Sequence, residues 1–296
     1  MGAVADALGY SPSAVSQQLS QLQKDVNVAL VEKVGRRLRL TEAGEVLAGH
    51  AESLLTAAQR AEEDTVAAAG RVAGTVKVAG FQTALLHVLA PALPRLGRDF
   101  PDLRVDVLEE EFTRVLQALV LRDIDVIITD EYTLLPRPER PELASEVLIT
   151  ERMRVAFPEG HPLATGGGPV RLADLAHEPW ATGHVGTNHS DLLERTCVDL
   201  AGFRPDIRHR SNDLLVIFAM IAQGSLAFVP DLALAEREAG VCVRDITEGT
   251  VHRSMVMWTR AAEGRPSVRA VMEAVRSSAD AVAAARPSLI RGASLG

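Results

Sequence analysis

The chain has 296 residues, 47% of them apolar and 24% charged, with no internal repeat, so two or three domains with real cores are expected. It has no apolar run of about 18 residues and no basic-then-apolar leader, so neither a membrane span nor secretion is expected. Two cysteines, Cys197 and Cys242, suit a reducing cytosol rather than a disulfide framework, and a net charge of −8 argues against a protein that coats nucleic acid.

In chain order, residues 3–8 (AVADAL) predict a short helix ended by Gly9. In YSPSAVSQQLSQLQKDV, residues 10–26, Ser11 is a good N-cap and Pro12 falls at the first helical position. Val15, Leu19, Leu22 and Val26 make one narrow apolar stripe, and Asn27 is a left-handed C-cap. The other face carries Ser13, Ser16, Gln17, Ser20, Gln21 and Lys24, where a merely solvated face usually carries Glu and Lys. A helix, a short turn with Gly and a second helix capped on Ser-Pro form the helix-turn-helix pattern. EKVGRRLRLT then predicts two short extended runs about Gly35, a β-wing carrying Arg36, Arg37 and Arg39. Residues 1–41 hold five cations against three anions, a balance of +2, which leaves −10 for the rest. A small basic head on an acidic body can bind a polyanion at one end only.

Thr41 caps the next block, Glu42 and Glu45 suit its positive end, and Gly70 closes it. As a helix, residues 42–70 would span roughly 43 Å. Ala43, Leu47, Ala51, Leu54, Ala58 and Ala61 give it a thin heptad-like stripe that wants a partner helix, most simply its own copy in a dimer.

From Thr75 strands and helices alternate. TVKVAGF, LRVDVLEE and IDVIITDE read as strands, with helices over TALLHVLAPALPRLGRDFP and TRVLQALVLRD between them. Pro136, Pro138 and Pro141 mark a loop, after which RMRVAFPEGHPLA starts a second set. That set holds the helix HSDLLERTCVDLAGF, the strand DIRHR, the apolar helix DLLVIFAMIAQG and the buried strand SLAFVPD. VHRSMVMWTR and SVRAVMEAVRSSADAVAAA close the chain as strand and helix. The alternation implies parallel βαβ units.

AVADALGYSPSAVSQQLSQLQKDV followed by VEKVGRRLRLTEAGEVL resembles the winged helix-turn-helix and linker start of the LysR-type transcriptional regulator family. LPRLGRDFPDLRVDVLE, VLRDIDVIITD, PEGHPLA and AGFRPDI…MIAQGSLAFVP resemble that family's effector domain, in the right order and spacing. The resemblance implies an N-terminal winged helix-turn-helix (1–41), a linker and dimerisation helix (42–70), and a two-lobed α/β effector domain of periplasmic-binding-protein type. Its first lobe would be 75–150 plus 248–296 and its second 151–247. It further implies a cytoplasmic, allosteric regulator that binds double-stranded DNA and a small-molecule effector, forms a homodimer and then a homotetramer, and contacts RNA polymerase. No cofactor, metal, membrane or enzymatic activity is implied.

On that fold the helix over 11–26 is the recognition helix in the major groove. Ser11, Pro12, Ser13 and Ser16 would lie at phosphates or base edges, Gln17 and Gln21 would read bases, and Arg36, Arg37 and Arg39 would hold the backbone or a minor groove. The chain departs from the family in three ways. It shows no supporting helix before the helix-turn-helix: either the start codon is assigned too late, the favoured expectation, or the protein lacks that support. Gln17 stands where Arg is common, and Ala29 and Val31 where Pro and Phe are favoured.

In two-lobed α/β binders the ligand sits at the carboxyl ends of strands, near helix N-termini. That places Gln82, Thr83, Thr129 and Asp130 at the cleft from the first lobe, and Gly186, Thr187, Asn188, Ser211 and Asn212 from the second. No concentrated positive pocket indicates an anionic inducer. His184 and His189 flank a glycine-containing loop without a metal-ligand pattern, and GGG at 166–168 lacks the Lys-Ser/Thr of a phosphate loop. The rival readings are a solute-binding protein on the same two-lobed architecture, and a truncated regulator that binds effector but not DNA.

Overall fold

A computed structural model describes residues 10–34, 37–69, 71–110, 112–135, 140–164, 166–235 and 240–292. The helix expected over 3–8, the turn at Gly35 and Arg36, Gly70, and Pro136 and Pro138 lie outside the described residues. The chain divides into two compact units, Met1–Glu62 and Glu63–Gly296.

In the first unit, helix α1 (Pro12–Val26) starts as its residues dictate. The Ser11 hydroxyl accepts the Ala14 N–H at 3.2 Å, and Asn27 closes the helix at φ 55°. Strands β1 (Val31–Val34) and β2 (Arg37–Leu40) pair antiparallel as a wing, and helix α2 (Glu42–Ala68) follows. Thr41 joins the pieces: its hydroxyl donates to Ala29 O at 2.7 Å and accepts from Gly44 N at 3.0 Å. Gln23 does the same from α1, its Oε1 accepting from Leu30 N and Val31 N at 2.8 and 3.2 Å. The Leu30 side chain is buried, and the Leu30 carbonyl sits where a Cβ on Gly44 would fall, at 2.0 Å.

The second unit is built on one mixed sheet. Strands β3 (Gly74–Gly80), β4 (Leu103–Glu109) and β5 (Val126–Tyr132) are parallel, with β4 at the edge. Between them run α3 and α4 (Phe112–Val120). Helix α3 opens over Gln82–Ala84, widens into a π-turn at Leu85–Leu89 and continues as Ala90–Asp99. Pro91 and Pro94 have no N–H to offer the turn before them, and the widening falls just ahead of these residues.

The expectation of parallel βαβ units needs correction beyond β5. Residues 143–158 form a single strand, β6 (Leu143–Pro158), rather than the start of a second set at Arg152. It is antiparallel to β11 (Val251–Arg260), which is antiparallel to β5. A register shift lies between Met255 and Val256 of β11. Strands β9 (Ala227–Pro230), β10 (Val241–Arg244) and β12 (Ile290–Arg291) also pair with β6. A separate parallel pair joins β7 (Pro179–Thr182) to β8 (Asp206–Arg210). Helices α5 (Asn188–Arg195, continued by a π-turn at Thr196–Leu200), α6 (Leu214–Ala222) and α7 (Pro266–Ala285) complete the unit.

The buried apolar residues fall into two groups. One packs α3, α4 and α7 on β3 and β5, around Val78, Leu89, Val271 and Trp258. The other packs α5 and α6 around Trp180, Phe228, Leu192 and Phe218. Strands β6 and β11 serve both: Ile149 and Met255 lie in the first group, Met153 and Val251 in the second. Cys197 is buried in the second group, which pushes its thiol up to about 12. Such a thiol is inert.

One end of the sheet is closed by charges. Asp125 accepts from Lys77 N at 3.0 Å and pairs with Arg260, at 3.0 Å, and with Arg265. Glu263 accepts from Arg260 Nη2 at 2.6 Å and from Arg265 N and Nε at 3.0 and 3.1 Å. Glu63, near the end of α2, accepts from the Ser267 hydroxyl at the start of α7. Burial pushes the Glu263 carboxyl up, but the hydrogen bonds from Arg265 and Arg260 outweigh it and hold it at about 2, against an ordinary 4.5.

A depressed folded-state value gives stability that is present above about pH 4.5 and lost as the pH falls through 2. Glu263→Gln is therefore expected to lower the thermal midpoint at neutral pH and to flatten its decline with acid across that window, measured by circular dichroism. Gly44→Ala is expected to cost about 1–3 kcal/mol in urea unfolding, because the new methyl meets backbone rather than a movable side chain.

Candidate functional site

A cleft opens in the second unit at the carboxyl ends of β3, β5, β8 and β9. Its wall on one side is the β3–α3 turn, with Phe81, Gln82 and Thr83, and the end of β5, with Asp130 and Tyr132. Across from these stand Gly183 after β7, His189 of α5, Ser211 and Asn212 after β8, and Leu214 and Ile217 of α6. Arg253, near the start of β11, faces the same space.

Two crossings tie these walls together. Gln82 donates Nε2–H to Asp213 Oδ1 at 3.0 Å, while its Oε1 accepts from Leu214 N at 2.9 Å. The bond from Gln82, with backbone N–H bonds at the start of α6, holds the Asp213 carboxyl below its usual range. Asn188 donates Nδ2–H to the backbone carbonyl and Oδ1 of Asp130, at 3.0 and 2.7 Å. Tyr132 donates its hydroxyl to Asp130 Oδ2 at 2.9 Å.

The polar groups of the wall have fixed roles. Gly183 N–H donates to His189 Nδ1 at 3.1 Å, so the proton is on Nε2, which lies 2.8 Å from Phe228 O. Burial lowers the His189 value further and keeps the ring neutral. Arg253 donates through Nε and Nη2 to Glu151 Oε1, at 3.1 and 2.6 Å, and Glu151 Oε2 accepts from Leu232 N at 2.6 Å. Among the described residues no group of three His, Cys, Asp or Glu is placed to hold a metal ion, and no helix is long and apolar enough to cross a membrane.

In the first unit α1 carries Ser11, Pro12, Ser13, Ser16, Gln17 and Gln21 on exposed surface. The Ser11 and Ser13 hydroxyls lie 2.9 Å apart, and Gln21 Nε2 donates to Asp25 Oδ1 at 2.8 Å. Arg39 on the wing donates through Nε and Nη2 to Glu32 Oε1 at 3.0 and 2.7 Å. Arg37 opens β2, while Arg36 lies outside the described residues.

The family model for the LysR substrate binding domain matches residues 69–280, and that for bacterial regulatory helix-turn-helix proteins of the lysR family matches residues 1–45. The chain belongs to the LysR family. It is a DNA-binding transcriptional regulator with an effector-binding domain. The transcriptional dual regulator GltC of Bacillus subtilis (strain 168) is 28% identical over 227 residues, 76% of this chain and 73% of GltC. The HTH-type regulator CbbR of Xanthobacter flavus is 30% identical over 230 residues, 76% of this chain and 66% of CbbR. Among solved structures, full-length OxyR from Pseudomonas aeruginosa shares the fold at a TM-score of 0.66 and 20% identity, over 99% of this chain and 93% of that one. Full-length CbnR complexed with its target DNA does so at 0.57 and 22%, over 94% and 93%.

In this LysR-type regulator the cleft gathers Gln82, Thr83, Asp130, Ser211 and Asn212 of the residues expected there. Thr129 is not among the lining residues; its hydroxyl accepts from Trp258 Nε1 at 3.0 Å inside the sheet, as side-chain alternation along β5 requires. Gly186 and Thr187 shape the loop instead, Gly186 at φ 84° and Thr187 as N-cap of α5. Asn188, also outside the lining, donates to Asp130. The sequence reading missed Phe81, Tyr132, His189, Leu214, Ile217 and Arg253. Gly183 was missed too, and a Cβ there would lie 2.4 Å from Thr187 Oγ1 and 3.2 Å from Asn212 Oδ1. Gly183→Ala is expected to lower the thermal midpoint by several degrees, equivalent to about 1–3 kcal/mol, because Thr187 must give up its cap.

Proposed function

We propose that the cleft is the effector site and that its occupancy sets how the regulator engages its operator. The carrying observation is the pair of crossings, Gln82 to Asp213 and Leu214 on one flank and Asn188 to Asp130 on the other. A ligand between them alters both at once and so shifts the angle between two lobes. The first lobe is about 75–150 plus 248–296, the second about 151–247; the two groups of apolar clusters support that division. Residues 1–41 are the DNA-binding head and 42–70 the linker. A coupling of roughly 1–3 kcal/mol suffices to change operator occupancy five- to a hundredfold.

Ser11, Pro12, Ser13, Ser16, Gln17 and Gln21 of α1 are the groove-facing set, and Arg36, Arg37 and Arg39 hold the DNA backbone. Val46, Leu54 and Leu55 are exposed on α2, which supports a homodimer through that helix, and two dimers make the working tetramer. The regulator works in the cytoplasm, where it meets DNA and RNA polymerase, and it is not an enzyme.

The test is a gel-shift titration of the chain on the DNA upstream of its own gene. Arg37→Ala is expected to weaken binding to all sequences alike and to lower the salt slope by about one unit. Gln17→Ala should relax base preference while leaving that slope unchanged. Wild-type behaviour in both variants would remove α1 and the wing as the contacting face.

A further inference from the structure

We propose that the cleft takes a small molecule with a protonated amine held by the Asp130 carboxylate, and with a carboxylate or carbonyl oxygen on the Thr83 hydroxyl. This rests on reading the cleft as the effector site, and it names the ligand's chemical class.

The charge of the wall comes first. Arg253 is the cation of the cleft; its guanidinium bonds to Glu151, both side chains being at most 5% exposed, and its charge also acts on Asp130. The Phe81 ring covers it further, 5.1 Å from Cζ. His189 brings no charge, because its Nδ1 accepts from Gly183 N–H. Two carboxylates, Glu151 and Asp130, thus face one cation, and in a site of low dielectric that excess of negative charge disfavours an anion with no cation of its own.

Asp130 is also held ready for a cation. It is buried, and Tyr132 and Asn188 donate to its two oxygens at 2.9 and 2.7 Å. Such donors fix the direction of the carboxylate before any ligand arrives.

Thr83 marks the other end. Its residue is 3% exposed, and its Oγ1 is buried without a hydrogen-bond partner among the described residues, on the wall of the cleft. Leaving a hydroxyl so is unfavourable, and a ligand oxygen accepting from it would recover that cost. It stands in the first turn of α3, whose N-cap, Phe81, offers no side-chain acceptor. A molecule with an amine at one end and an oxygen acceptor at the other answers both groups, and an amino acid is the simplest.

The experiment is isothermal titration calorimetry on the 296-residue chain. The probes are the proteinogenic L-amino acids, the amines left by their decarboxylation, and the matching 2-oxo acids. At least one amino acid is expected to bind, with its 2-oxo acid weaker by about tenfold or more. Asp130→Asn is expected to weaken the amino acid and the amine alike by about tenfold, and Thr83→Val the amino acid alone. Circular dichroism checks that both near-isosteric variants are folded, and the amine-against-oxo-acid ratio needs no variant at all.

The proposal is overturned if 2-oxo acids bind as tightly as amino acids, if folded Asp130→Asn keeps full affinity, or if no amine-bearing probe binds. Leu214→Trp, which fills the cleft, separates this from the underlying reading. Oxo-acid binding that Leu214→Trp abolishes would refute the amine and leave the cleft as the effector site. Binding of any probe that survives in folded Leu214→Trp would refute the cleft itself.

Discussion

Glu151 and Arg253 are register partners on neighbouring antiparallel strands, at the place where β6 and β11 pass from one group of apolar clusters to the other. Taking either charge away would strand the other in the interior, at a cost of about 3–5 kcal/mol. The pair does more than close on itself. Glu151 also receives the Leu232 N–H, which fixes the turn after β9, and Arg253 lies against Phe81, where β3 passes into α3. Four chain segments that build the cleft are thus indexed to one ion pair. The same pairing holds Arg253, the cation among the described residues of the wall, against a neighbouring strand.

Elsewhere too, polar side chains do the joining where apolar area is thin. In the first unit Gln23 and Thr41 satisfy backbone groups on the path from α1 through the wing to α2. Gln23 sits in the same glutamine-rich stretch as Gln17 and Gln21, yet its amide oxygen faces the interior path. In the second unit the Asp125, Glu263, Arg260 and Arg265 network closes the sheet end and fastens the start of α7.

The elements with strong periodicity and clear caps were legible in the residues. Ser11, Pro12 and Asn27 delimit α1, Thr41 opens α2, and β11 and α7 fall close to where alternation and 3.6-residue spacing put them. What misled was charge in a buried strand. Glu151, Arg152 and Arg154 interrupt the apolar run of β6, and an isolated sequence cannot show that Arg253 waits opposite Glu151. The site divided in the same way. Polar residues at strand ends and turns, such as Gln82, Asp130 and Asn212, line the cleft where topology alone sends them. Phe81, Ile217 and Arg253 look like core or strand residues, and only the long-range register brings them to the cleft. Thr129 lies on the opposite face from Asp130, a difference of strand phase that the sequence alone does not show, since one residue along β5 turns a side chain over.

The continuity of β6 and β11 has a mechanical consequence. A hinge of two loose loops would let the cleft open freely, but here the crossing is a hydrogen-bonded antiparallel ribbon, with its register slip between Met255 and Val256 just past the crossing. Such a ribbon resists stretching and in-plane bending far more than twisting, and a slip of this kind concentrates the twist. The ribbon is a torsion spring with a defined resting angle. The two groups of apolar clusters are therefore coupled through twist of this ribbon rather than through free bending of loops.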